Sequence, residues 1–304
     1  MTAPDTPERI AERAIRELMR VQPVEATIAG KGFYGVAVLT RLPIADGLPR
    51  CAIVKYMRDA LCLAEERQAL TRMRAHCPTL PLPRIYGATA DGHASVMEYM
   101  PGEDADRIVF DDGALRDKAA DEIAECLLTL HAARPTDRRY GTDDKRYDRW
   151  IDCYRDRALD MMSNIDKSHA LQRLSHENFR VFVRALDAID DILSCPPAHP
   201  SLLHGDYNLC NLRVDPRTGR VSGILDPMHS IWGDREADLF QLRQSGGAAW
   251  ELLDRYRDRY GLSADFAAKD AMYAAFAEAD HYGRCNMPQD EHLQSMIDAL
   301  DAAL

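Results

Sequence analysis

An octapeptide late in the chain, His204-Gly205-Asp206-Tyr207-Asn208-Leu209-Cys210-Asn211, does most to limit what this sequence can become. An aspartate followed five residues later by an asparagine can supply two things from one tight loop. One is a carboxylate that orients a hydroxyl and accepts its proton; the other is an oxygen ligand for a hard cation. Asp226 comes twenty residues after Asp206, at the end of the apolar strand Gly223-Ile224-Leu225. The turn sequence Asp215-Pro216-Arg217-Thr218-Gly219-Arg220 lies between them, so a hairpin would return Asp226 to the side of Asn211. There it would bridge Mg²⁺ and nucleotide phosphates, completing the set of groups that phosphoryl transfer to a hydroxyl requires. The bland alternative, a polar turn followed by an ordinary hairpin, leaves the groups upstream unexplained.

Those groups occur in a consistent order. Gly30-Lys31-Gly32-Phe33-Tyr34-Gly35 is a G-x-G-x-x-G run between two apolar segments, where glycines would let backbone N–H groups approach triphosphate oxygens. It does not open a helix, which argues against a dinucleotide-binding turn. Lys55 lies inside the apolar segment Ala52-Ile53-Val54-Lys55-Tyr56-Met57, and a buried lysine needs a partner. Glu66 is the natural one, with Glu65 as the fallback, and the pair would hold Lys55 against the α- and β-phosphates. Met97-Glu98-Tyr99-Met100 ends an apolar strand before Pro101-Gly102 and can offer backbone groups to an adenine edge.

Around these motifs the chain predicts an α+β protein in two lobes. Residues 1–100 read as a nucleotide-binding lobe: a capped helix from Thr6-Pro7, then an antiparallel sheet crossed by one helix over residues 61–77. Residues 101–304 read as a larger helical lobe, with helices over 117–131, 150–162, 178–193 and from Asp234 onward, interrupted by a β-rich insert carrying the octapeptide. The formal net charge of -11 argues against a nucleic-acid partner. The eight cysteines form no C-x-x-C pair, no apolar run is long enough for a membrane span, and the first residues lack a signal-peptide core, so the expected compartment is the cytoplasm.

Taken together, the motifs resemble the protein-kinase-like superfamily, in its aminoglycoside phosphotransferase and choline-kinase branch. The resemblance runs from about residue 24 to 283 and includes the glycine run, Lys55, Glu66, the M-E-Y-M segment, Leu127 to His131, H-G-D-x-x-x-x-N and I-L-D. It implies a bilobal kinase-like fold and an ATP-dependent phosphotransferase, with GTP an open alternative and Mg²⁺ as the metal. It further implies Asp206 as catalytic base, Asn211 and Asp226 as Mg²⁺ ligands, and Gly30, Lys31, Gly32, Gly35, Lys55, Glu66, Met97, Glu98 and Met100 around the nucleotide. By the same resemblance Asp238 braces the catalytic loop and His204 holds it.

A narrower resemblance joins Asp226-Pro227 and Gly233-Asp234-Arg235-Glu236-Ala237-Asp238-Leu239 to the D-P…G-x-R-E-x-D-L stretch of fructosamine kinases. Tyr207-Asn208-Leu209-Cys210 departs from that family's usual L-W-S-G. The expected acceptor is a small molecule bearing a hydroxyl: a sugar, an amino sugar or an antibiotic, the last implying resistance by phosphorylation. A ketosamine is the close alternative, and a nucleotide-binding scaffold without turnover is a second. A metallohydrolase reading would leave the glycine run and Lys55 without a role. Residues expected to line the acceptor site are Tyr207, Asn208, His229, Trp232, Asp234, Arg235, Glu236, Glu278, Asp280 and His281. Arg235 and Glu236 form a structural ion pair in the alternative.

Overall fold

In the computed structural model, which describes residues 6–304, Thr6 caps the first helix, its hydroxyl accepting from the Arg9 amide at 3.5 Å. In chain order the elements are α1 (Pro7–Met19), β1 (Glu25–Lys31), β2 (Gly35–Arg41), β3 (Cys51–Met57), α2 (Ala60–His76), β4 (Ile85–Ala88), β5 (Ala94–Glu98), β6 (Glu103–Asp104) and α3 (Gly113–Ala132). Then come β7 (Tyr140–Gly141), β8 (Arg146–Tyr147), α4 (Trp150–Ala170), α5 (His176–Asp187), α6 (Ile189–Ile192), β9 (Ser201–Leu202), β10 (Leu212–Val214), β11 (Val221–Ile224) and β12 (Trp232–Gly233). A 3₁₀ helix, Arg235–Arg243, leads into α7 (Leu252–Tyr260), α8 (Phe266–Cys285) and α9 (Glu291–Ala302). The fold class is α+β.

The chain forms two compact units. The first holds residues up to Glu122 together with Cys210–His229, and the second holds Ile123–Leu209 and Ser230–Leu304. The hairpin with Asn211 and Asp226 therefore groups with the N-terminal sheet, and Asp206 groups with the helices.

In the first unit, five strands run in the order β1-β2-β3-β5-β4, all antiparallel. Strand alternation turns Ala52 and Val54 to one face, where they join Val38, Ala94 and Val96 under Ala11, Ala14 and Ile15 of α1. Lys55, one residue out of phase, turns to the other face, toward α2. A second sheet, β11-β10-β6, pairs the hairpin with the segment after the M-E-Y-M motif. Gly223 is required there: a side chain would meet the Met100 Cβ at 2.7 Å.

In the second unit, α4, α5, α8 and α9 enclose an apolar core containing Phe182, Met272, Phe276 and Leu300, all fully buried. The helix expected over 178–193 breaks at Ala188, whose ψ of 7° interrupts it between α5 and α6. The helix expected from Asp234 begins as nine residues of 3₁₀, because both of its ends are tied by side chains described below. The eight cysteines are free thiols. Among the described residues, no helix is long and apolar enough to cross a membrane.

Candidate active site

Lys55 is the centre of the first unit's polar chemistry. β3 pairs it between Ala37 and Ser95, which fixes its Cα in the middle of the sheet. Its Nζ lies 3.0 Å from Glu66 Oε2 on α2 and also contacts Asp226 Oδ1. Burial pulls the ammonium pKa down, but the two carboxylates outweigh it, and the value ends above the ordinary lysine value. Glu66, 2% exposed, is pushed up by burial against the pull of Lys55. The lysine is thus charged and held by two acids from distant parts of the sequence.

Asp226 reaches Lys55 because of the hairpin. Leu212 pairs with Ile224, and the Leu225 amide donates to the Asn211 carbonyl at 2.8 Å, so Asn211, just before β10, and Asp226, just after β11, lie at the same end of the hairpin. Asp226 has a φ of 59°, a left-handed conformation that a non-glycine residue adopts at a cost of roughly 1–3 kcal/mol. The donor set fits Mg²⁺: a carboxylate and a carboxamide oxygen at the end of one hairpin are hard ligands, and Mg²⁺ takes one or two such groups and fills its octahedron with water and phosphate.

The glycines divide by role. A Cβ on Gly35 would run into the Tyr56 carbonyl, so that glycine is demanded by the sheet. Gly30 and Gly32 have nothing within 4 Å of where a Cβ would stand. Lys31 pairs with Val36 beside them, and the Gly32 amide donates to the Gly35 carbonyl at 3.0 Å. At the end of β5, the Glu98 amide donates to the Arg84 carbonyl (2.8 Å), and the Arg84 amide is taken by the Glu98 side chain (3.1 Å). Met97 is buried in the sheet opposite Ile53, while Met100 lies against Gly223.

In the second unit, the octapeptide is held by one buried carboxylate. Asp238 Oδ2 accepts from the His204 amide (2.7 Å), and its Oδ1 accepts from the Gly205 amide (2.8 Å). Gly205 adopts a φ of 85°, which brings the two amides onto the same acid. His131 Nε2 lies 3.2 Å from Asp238 Oδ2, and its Nδ1 is 2.7 Å from the Tyr256 hydroxyl. Burial drives His131 below its ordinary value, and it is neutral. Burial alone would raise Asp238, but His131, His204 and the amide hold it low, so it is ionised. The Asp206 amide donates to His204 Nδ1 at 3.2 Å, giving that histidine a framework task. Asp206 itself is partly exposed.

Several residues expected to line an acceptor site are interior framework instead. Tyr207 is 0% exposed and its hydroxyl donates to the Ile123 carbonyl (2.8 Å). Trp232 is buried in β12, paired with both β7 and β9. Asp234 and Glu236 are buried around Lys269, at 3.3 and 3.5 Å from its Nζ. Asp280 is buried between Asn164 and Arg284, each at 2.8 Å. Arg235 lies over the Tyr260 ring at 4.2 Å and 3.8 Å from Glu236, the structural pairing named as the alternative. Asn208 is buried, and its carboxamide donates to Asp206. Glu278 accepts from Gln244 (2.6 Å) and is partly exposed, as are His281 and His229. Lys269 and Gln241 carried no motif that a sequence reading could recognise. Only the three-residue spacing of Asp238 and Gln241 hinted that they share a face.

The model of a phosphotransferase enzyme family matches residues 46–278. The uncharacterized protein YcbJ of Escherichia coli K12 is 22% identical over 213 residues, 68% of this chain and 71% of that protein. Among solved structures, a provisionally named fructosamine-3-kinase from Thermobifida fusca YX-ER1 superposes with a TM-score of 0.72 at 18% identity, covering 98% of this chain and 99% of that one. The gentamicin complex of APH(2")-IIa gives 0.68 at 17% identity, covering 99% and 97%. At these identities the structures establish a shared fold.

Proposed function

Because the chain belongs to the phosphotransferase enzyme family, we propose that it transfers the γ-phosphoryl group of ATP to a hydroxyl of a small molecule, in the cytoplasm. The observation that carries this reading is Lys55, charged and buried between Glu66 and Asp226. An ion pair between strand and helix needs no third acid brought from a hairpin 171 residues away, whereas a phosphate-binding lysine beside a metal-binding aspartate does.

In this reading the acceptor oxygen attacks the γ-phosphorus, the bond to the β–γ bridging oxygen breaks, and ADP leaves. Asp206 orients the acceptor hydroxyl and takes its proton. Lys55 neutralises the α- and β-phosphates, Glu66 fixes its direction, and the backbone of Gly30, Lys31 and Gly32 covers the phosphates. Backbone atoms of Glu98 and Met100 meet the adenine edge. Asn211 and Asp226 would hold Mg²⁺, which would supply charge neutralisation at the phosphates. Catalysis is then mostly positioning and electrostatic stabilisation.

The acceptor class is a sugar, amino sugar or sugar-bearing antibiotic. A ketosamine is the second reading, favoured by Asp226-Pro227 and the Gly233–Leu239 stretch. Solved relatives include a gentamicin complex and an ADP-bound aminoglycoside phosphotransferase, which supports nucleotide use and a small acceptor. The test is an ATP-consumption screen against aminoglycosides, amino alcohols and fructosamines, run beside the Asp206→Asn variant. Turnover of one class in the wild type alone supports the proposal; equal ATP consumption by both proteins with every acceptor would overturn it.

A further inference from the structure

We propose that Asn208 and Gln241 are positioning residues that set the orientation of the Asp206 carboxylate, an inference that rests on Asp206 being the catalytic base. The Asn208 amide donates to the Asp206 carbonyl (3.1 Å), a tight turn that folds the Asn208 side chain back beside that of Asp206. Its Nδ2 then donates to Asp206 Oδ1 at 2.6 Å and to Gln241 Oε1 at 3.3 Å. A carboxamide nitrogen has two protons, and here each has an acceptor. Turning the carboxamide over would set its oxygen against a carboxylate oxygen and against the Gln241 carbonyl oxygen, two repulsive contacts. Gln241 therefore fixes the face of Asn208, and Asn208 fixes one oxygen of Asp206.

The 3₁₀ helix explains why Gln241 is in place. With three residues per turn, side chains at i, i+3 and i+6 lie in one row. In this helix and its C-cap the row is Asp238, Gln241 and Gln244. Asp238 takes the His204 and Gly205 amides, Gln241 takes Asn208, and Gln244 donates to Glu278. An α-helix would turn each successive member of the row away by about 60°. The row thus acts as a template along the catalytic loop, with Asp238 holding its backbone and Gln241 its side chains. Asn208 and Gln241 are 7% and 6% exposed, which suits a support and not a contact with the acceptor.

A misplacement of about 1 Å at a reacting group costs on the order of 100-fold in rate. The test uses MgATP with water as acceptor, read as phosphate release, in Asn208→Leu, Gln241→Leu and the double variant. Each single variant is expected to lose about 10- to 100-fold in kcat with KM for ATP within about threefold, and the double variant to be no slower than the slower single. Gln241→Met serves as a milder substitution if Gln241→Leu melts early. A crystal structure of the Gln241 variant is expected to show the Asp206 carboxylate rotated or in more than one rotamer. Unchanged kcat, losses that multiply in the double variant, or an Asp206 rotamer unaltered from wild type would overturn the proposal. Should wild-type phosphate release equal that of Asp206→Asn, the kinase reading fails, and the Asp206 rotamer in the crystal decides the relay by itself.

Discussion

His131 Nε2 lies 3.2 Å from Asp238 Oδ2, a neutral histidine donating to an ionised aspartate in a fully buried setting. The consequence is a pH dependence of stability. His131 has a folded pKa below its ordinary value of 6.5, with burial as the main cause. The unfolded chain therefore binds the extra proton first, so the contribution is complete above 6.5 and is lost as the pH falls through the folded value. Urea unfolding from pH 7 down to pH 5 should show a falling midpoint in the wild type and a flatter one in His131→Leu. Parallel slopes in the two proteins would contradict this account.

Lys55→Met tests the ion pair through stability as well as through nucleotide binding. It leaves Glu66 buried with no counter-ion in the sheet, a defect worth about 3–5 kcal/mol while the acid is ionised. Burial already raises Glu66 above its ordinary value of 4.5. A raised acid contributes stability below its unfolded value and loses it as the pH rises through the folded one. The variant should therefore lose more at pH 8 than at pH 5.5, with denaturation midpoints as the measure. An equal loss at both would mean that Lys55 does not hold Glu66 ionised.

How much of this was legible follows from range. The element pattern of the first hundred residues is local: the capped Thr6-Pro7 start, the period-two strands and the glycine turn all speak within a few residues. The clamp of Asp238 on the loop was legible through resemblance, because the aspartate sits in a motif. The burial of Asp234 and Glu236 was not, since their partner Lys269 lies over thirty residues on, in a helix whose composition marks nothing special. Charged residues near a motif look like ligands until a buried counter-ion is found. The 3₁₀ geometry of residues 235–243 was equally hidden, because the same spacing of apolar residues is compatible with an α-helix and only tertiary anchors at both ends decide it.

The glycine run separates fold from function within six residues. Gly35→Ala puts a Cβ into the Tyr56 carbonyl and should cost about 1–3 kcal/mol, read as a lower melting temperature. Gly30→Ala and Gly32→Ala meet nothing within 4 Å, so the melting temperature of the free protein should move little. Their effect should fall on KM for ATP, if the phosphates occupy that space. A melting temperature lowered as much by Gly32→Ala as by Gly35→Ala would show that this division is wrong.

Lys269 offers the sharpest check that Asp234 and Glu236 are framework and not acceptor contacts. Its side chain is 2% exposed, and its ammonium lies 3.3 Å from Asp234, 3.5 Å from Glu236 and 3.3 Å from Asp265. Burial is the main pull on the Asp234 carboxyl and leaves its pKa raised even with Lys269 beside it. Lys269→Met fits the volume but removes the cation shared by Asp234, Glu236 and Asp265, leaving Arg235, 3.8 Å from Glu236, as the nearer remaining positive charge. The cost should be about 3–5 kcal/mol near pH 8. It should shrink toward pH 5, because a raised acid takes up its proton early and a protonated carboxyl needs no counter-ion. Denaturation midpoints of wild type and variant at the two pH values measure this directly. If Lys269→Met were as stable as wild type and instead raised KM for an acceptor, the cluster would face the acceptor after all, and the burial argument would have to be abandoned.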